Sequence, residues 1–164
     1  MPWKPFKTYS EKGRHIISDN RYMVVATSDK KAKPWAAPVF FAYDSKYNFY
    51  FLSAVDSRHA ENISENPNVS IVIYDSTSEI GLSDGVQIEA KASMVDEKDV
   101  ARVIKIYCDR LFPNSDVPAT QRYKPEQYSG ASEFRFFKVQ VVQTYVTGVD
   151  RRMDVDLADR DGED

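Results

Sequence analysis

Short, densely apolar stretches recur along this chain between polar segments, and three of them come in quick succession. Tyr22 to Ser28, Trp35 to Tyr43 and Phe49 to Ser53 are rich in β-branched and aromatic residues and are separated by polar turn-like segments at Asp29-Lys30-Lys31 and Asp44-Ser45-Lys46. They are expected to form a meander of three strands. Pro38 falls inside the second; a proline cannot donate to a ladder, so it marks an edge, a bulge or backbone facing something else, such as a ligand. Val69 to Tyr74 and Val86 to Val95 are two further strands. In the latter, Val86, Ile88, Ala90 and Ala92 alternate with Gln87, Glu89, Lys91 and Ser93, the signature of a half-buried strand. Phe134 to Thr147 is a sixth, apolar on both faces.

Helical spacing is sparser. Tyr9 to Asp19 is a short helix with Ser10 as its cap and Ile16 and Ile17 as its apolar face. Asp56 to Asn66 is a second, capped by Asp56 or Ser57, stopped at Asn66-Pro67, with Ala60 and Ile63 facing inward. Glu97 to Phe112 is the clearest, with Val100, Val103, Ile104, Tyr107, Cys108 and Leu111 at three- and four-residue spacing and Pro113 ending it. Asn114 to Ser132 reads as irregular. Six strands with so few helices point to a mainly β, α+β fold, a closed or partly closed barrel with flanking helices. A doubly wound sheet would need a helix after nearly every strand.

At 164 residues, 42% of them apolar, the chain is sized for one core. We place a single domain at residues 1–149. Asp150 to Asp164 carries seven acidic and three basic residues and is expected to be a disordered tail, with an acidic arm for a partner as the other reading. A net charge of -3 supplies no basic field for nucleic acid or an anionic membrane, and no segment has the apolar length of a membrane span. The N-terminal residues lack the apolar core of a signal peptide, and the single cysteine, Cys108, permits no intrachain disulfide; a cytoplasmic protein is expected. Cys108 lies on the apolar stripe of its helix and is assigned no chemistry. Two histidines, His15 and His59, and no Cys-x-x-Cys or His-Glu-x-x-His give no expectation of a metal site.

Candidate chemistry concentrates where the third strand gives way to a helix, Ser53-Ala54-Val55-Asp56-Ser57-Arg58-His59-Ala60. Backbone N–H groups at a helix start, with a hydroxyl, a guanidinium and an imidazole on consecutive residues, suit a phosphate. The same residues also suit an ordinary capped helix with a solvated Arg58. Gln87, polar at the start of a strand with a core-like face, either hydrogen-bonds a ligand or occupies the outward face.

These segments, in this order, resemble the FMN-binding split β-barrel family of pyridoxamine-phosphate oxidases. Ala36 to Asp44 looks like the family's second strand, whose backbone lines one edge of the isoalloxazine ring, a role the resemblance gives to Pro38 and Val39. Phe49 to Ser53 followed by Ser57-Arg58-His59-Ala60 resembles its strand, loop and Ser-Arg-Lys-Ala helix start, so Ser53, Ser57, Arg58 and His59 are implied phosphate contacts. Gly85 to Ala92 resembles the strand whose glutamine, here Gln87, approaches the flavin, often from the other subunit. The resemblance therefore implies a homodimer with FMN at the interface and an oxidoreductase acting on a small organic molecule, with no acid–base residue assigned. The departures are specific. His59 stands where the oxidase has lysine, Ala36 where it has arginine and Phe41 where it has lysine. Glu133 to Asp150 lacks its Arg-x-His-x-Arg segment. They argue against pyridoxamine-phosphate oxidation itself, and leave as alternatives a non-catalytic flavin-binding module for storage or sensing, and a relative using F420 or haem.

Overall fold

Phe41 divides the stretch that reads as one strand over Trp35 to Tyr43. In the computed structural model, which describes residues 6–79, 84–147 and 152–158, β1 is Tyr22–Ser28, β2 Pro34–Phe40 and β3 Ala42–Tyr43. They are followed by β4 (Phe49–Ala54), β5 (Asn68–Tyr74), β6 (Gly85–Met94), β7 (Phe134–Thr147) and β8 (Arg152–Val155). All pair antiparallel in the order β2-β1-β5-β6-β7-β4-β3, with β8 on β7. Since β2 and β3 lie at opposite ends of this order yet are separated by Phe41 alone, the sheet has to curl until its ends approach. That is the partly closed barrel expected from the pattern, with eight described strands instead of six. The split arises because the chain turns a corner at Phe41, whose ring enters the barrel while Ala42 enters a second cluster outside it.

Two hairpins share one turn design. Asp29 Oδ1 accepts the backbone N–H groups of Lys31 and Lys33, and Asp44 Oδ1 those of Lys46 and Asn48. Each turn places a non-glycine residue in the left-handed region, Ala32 at φ 59° and Tyr47 at φ 56°. Short polar side chains that mimic backbone acceptors hold such turns closed.

The barrel interior is filled by Met23, Val25, Val39, Phe49, Phe51, Ile71, Ile73, Ile88, Phe137 and Val139, with Phe51 stacked on Phe137 at 5.2 Å between centroids. β4 is buried on both faces: Tyr50 leaves the barrel to meet Val103, Ile104 and Tyr107 of α3 (Val100–Leu111). Cys108 is buried there as well. α1 (Tyr9–Asp19) is capped by Thr8, not by the expected Ser10, with Thr8 Oγ1 accepting from Glu11 N–H at 3.0 Å. Gly13 lets α1 seat closely, since a Cβ there would meet Val146 Cγ2 at 3.0 Å and Leu157 Cδ2 at 3.2 Å. Residues 114–132, read as irregular, contain the short α4 (Ala119–Arg122) and a 3-10 turn at Pro125–Tyr128.

The expectation of a disordered tail is corrected for residues 152–158. β8 pairs with Thr144–Thr147 of β7, and Leu157 is only 4% exposed. Acidic composition was a poor guide here because Met153, Val155 and Leu157 alternate with the charges and β7 offers an edge. The remainder of that segment lies outside the described residues. Among the described residues no helix is long and apolar enough to cross a membrane.

Candidate functional site

Three of the expected site residues meet where β4 ends and α2 (Arg58–Glu65) begins. Ser53 follows Phe49 and Phe51 along the inward face of β4 and is itself buried. Its Oγ lies 2.7 Å from His59 Nε2 and 3.0 Å from Ser57 Oγ, and Ser57 Oγ is 3.2 Å from the same Nε2. The three side chains close a triangle of neutral polar groups. The imidazole also packs at a tilt near Phe51, and burial pulls its pKa below the ordinary histidine value, so His59 is uncharged at neutral pH. It therefore serves as a hydrogen-bonding group there and not as a cation.

Ser57 occupies the N-cap position of α2 with extended backbone, but its hydroxyl makes no capping hydrogen bond. The hydroxyl turns to Ser53 and His59 instead, leaving the positive end of the helix without a side-chain cap, the condition under which helix starts take anions. Arg58 does not join the triangle. Its guanidinium stacks 4.5 Å above the Trp35 ring and lines a polar cleft with Asp29, Lys33, Asp56 and Glu61.

Pro38 and Gln87 lie elsewhere, on one transverse row of the sheet's outer face. Successive register pairs link Pro38 to Val24, Val24 to Val72, Val72 to Gln87 and Gln87 to Tyr145. Three strand spacings separate Pro38 from Gln87, roughly 14 Å at ~4.8 Å each. Val39, the neighbour of Pro38, points the other way: its side chain is part of the barrel core, so only its backbone is available to a ligand outside. Gln87 is half-buried, and its Oε1 accepts from Arg152 Nη1 at 3.2 Å. Arg152 in turn stacks on Tyr145, whose hydroxyl donates to Glu89 at 3.0 Å. These residues line a groove of about 220 Å³. A larger groove of about 480 Å³ between Lys46, Tyr47 and β8 contains none of the expected residues.

Two arginines escaped the sequence reading. Arg152 was counted as part of an acidic tail. Arg135 was hidden in the apolar run of β7, yet alternation with the inward Phe137 and Val139 marks it as a charged residue at an inward position, which is uncommon and informative. It is the register partner of Ser53.

Comparison with known proteins agrees with this architecture. A curated pyridoxine/pyridoxamine 5'-phosphate oxidase of Ehrlichia ruminantium is 35% identical over 94 residues, covering 57% of this chain and 46% of that protein. The chain thus matches about half the length of that relative. Among solved structures, a haem-binding protein from Mycobacterium smegmatis superposes with a TM-score of 0.71 at 19% identity, over 93% of this chain and 59% of the other. HutZ, the haem storage protein from Vibrio cholerae, gives 0.65 at 23% identity, over 81% of this chain and 90% of the other. At such identities the two structures speak for the fold alone. The sequence model of the pyridoxamine 5'-phosphate oxidase family matches residues 9–148, nearly the whole described barrel. This chain belongs to the pyridoxamine 5'-phosphate oxidase family.

Proposed function

We propose that this protein is a homodimeric FMN-binding oxidoreductase acting on a small organic molecule other than pyridoxamine phosphate. The observation that carries this reading is the Ser53–Ser57–His59 triangle, where two hydroxyls and an imidazole meet at the start of α2, whose N-cap makes no side-chain hydrogen bond to the helix. This donor set fits a phosphate monoester: each group donates a hydrogen bond to an oxygen without requiring a proton transfer. Arg58, between Ser57 and His59 in the chain, adds positive potential nearby. FMN, when bound, supplies hydride and electron transfer, and the protein's task is to hold and orient it. Pro38 and the Val39 backbone would offer an apolar edge to the ring, and Gln87 a hydrogen-bonding amide.

Geometry favours two copies. Arg135, opposite Ser53, and Tyr145, opposite Gln87, are ten residues apart on β7, roughly 30 Å along the strand at ~3.3 Å per residue. One flavin does not span that distance. A second copy docked on the outer row through Pro38, Val24 and Val72 would bring its own Gln87 to the ring. The row from Pro38 through Val24 and Val72 to Gln87 carries no charged side chain, and Pro38 is exposed on it, as expected of a surface that pairs.

Ala36 and Phe41 in place of cations, and the missing Arg-x-His-x-Arg segment, are the reasons to set aside pyridoxamine-phosphate oxidation. The haem reading has the names of the two fold neighbours behind it. It has less behind it in the histidines present: the sequence holds two, and one of them, His15, pairs with Asp19 on the surface. F420 would use the same donors, and a non-catalytic flavin binder remains the reading if no turnover is found. Fluorescence titration with FMN, followed by turnover assays with nicotinamide donors, tests the proposal. Saturable quenching with turnover supports an enzyme, quenching alone supports a binding module, and no quenching overturns the flavin assignment.

A further inference from the structure

The triangle at the start of α2 contains no charge at neutral pH, and a phosphate monoester brings close to two negative ones. Where the counter-charge comes from is answered across the strand pair. Ser53 and Arg135 face each other in the β4–β7 ladder, and directly opposed residues place their side chains on one face with Cβ atoms about 5 Å apart. That face is the inward one, on which Phe51 stacks against Phe137 one step further along.

Arg135 is 8% exposed, so it is a buried guanidinium. Its Nη1 donates to the carbonyl of Gly130, in the loop before β7. Its Nε is buried with no hydrogen-bond partner, and among the described residues no carboxylate pairs with it. A buried cation without a counter-ion costs several kcal/mol, and an orphaned buried donor adds to that cost. Such a group is kept where something not part of the chain neutralises it. The sequence supplies an independent reason: Ala36 and Phe41 replace two cations of the family pattern, and His59 replaces a third.

We propose that Arg135 is the fixed cation of the phosphate site, supplying from β7 the charge that Ala36 and Phe41 lack. This rests on the flavin-phosphate reading of the Ser53–Ser57–His59 cluster and names the residue that makes the site selective for a phosphorylated ligand. The Gly130 carbonyl holds one arm of the fork in place, so the group is preorganised and loses little freedom on binding.

The test compares FMN with riboflavin, which has the same ring and no phosphate, by fluorescence titration of the full chain and of Arg135→Gln. The wild-type protein is expected to bind FMN at least tenfold more tightly than riboflavin. In Arg135→Gln the FMN affinity is expected to fall to the riboflavin level while riboflavin binding stays within twofold. Unchanged FMN preference overturns the proposal, and so does an equal loss of both ligands, which marks a purely structural arginine. Should Arg135→Gln fail to fold, Arg135→Lys carries the test: it keeps the charge but not the fork, so a severalfold loss confined to FMN is expected and no loss overturns the assignment. If the wild-type protein binds neither flavin, the flavin reading itself fails. Inorganic phosphate then becomes the probe, and a rise in melting temperature in wild type that is absent in the variant supports Arg135 as an anion-binding cation, while no rise overturns it.

Discussion

Ser53 Oγ lies 2.7 Å from His59 Nε2, although the two residues belong to a strand and a helix and are joined by a loop that the hydroxyl of Ser57 also bridges. Three neutral polar side chains that satisfy one another can each redirect a donor to an acceptor at small cost. Removing the hub is the informative change. Ser53→Ala is expected to weaken FMN binding by about 1–2 kcal/mol, roughly 5- to 30-fold, with the barrel intact by circular dichroism. Isothermal titration reads this directly, and an unchanged affinity would place the ligand elsewhere.

The same burial that keeps His59 neutral makes stability depend on pH. Its pKa in the fold lies below the ordinary value near 6.5, so the unfolded chain takes up the proton first as the pH drops. The stability contributed by the neutral ring is therefore complete above about pH 6.5 and is lost as the pH falls through the folded value. His59→Gln, which keeps a hydrogen-bonding amide without the titration, is expected to lose less thermal stability than wild type between pH 7.5 and 5.5. Parallel melting curves for the two proteins across that range would show that another group is responsible.

Asp44 anchors the β3–β4 turn. Burial pushes its carboxyl pKa upward, but hydrogen bonds from Asn48, the Tyr50 hydroxyl and the Lys46 N–H outweigh it, and the net shift is downward. Asp44→Ala removes the acceptor of the Tyr50 hydroxyl, which then keeps only the donor Arg102, and opens the turn, a cost of about 2–3 kcal/mol by chemical denaturation. In the companion turn Ala32 is exposed at φ 59°, so Ala32→Gly relieves left-handed strain and is expected to stabilise by on the order of 0.5 kcal/mol. A loss of stability from Ala32→Gly would contradict this account of the turn.

Val72 stands in the outer row between Val24 and Gln87. If that face joins two copies, Val72→Glu places a charge at its centre. The wild-type protein is then expected to elute in light-scattering chromatography at twice the chain mass and the variant at the chain mass, with FMN binding weakened in parallel. A monomeric wild-type protein would remove the interface and with it the shared site.

Much of the barrel was legible because alternation is a local signal. Val86, Ile88, Ala90 and Ala92 declare the inward face of β6 without reference to any partner, and all four are buried. What stayed hidden depends on partners distant in sequence. β8 forms because β7 has an edge to offer at Thr144–Thr147, which outweighs the unfavourable composition of its own segment. The corner at Phe41 was masked by apolar residues on both faces. The meeting of Ser53, Ser57 and His59 was legible from residue types alone, but two of the expected contacts needed coordinates: Arg58 turns to Trp35, and Val39 turns into the core. Arg135 was within reach of the sequence, since its parity with Phe137 places a charge inside the barrel.

The most direct test of the flavin assignment is the visible absorption spectrum of the purified protein after incubation with FMN and removal of the excess by gel filtration. The expected result is a retained flavin band with a resolved shoulder, at a stoichiometry near one per chain. Loss of all flavin on the column, together with no quenching at equilibrium, would contradict it.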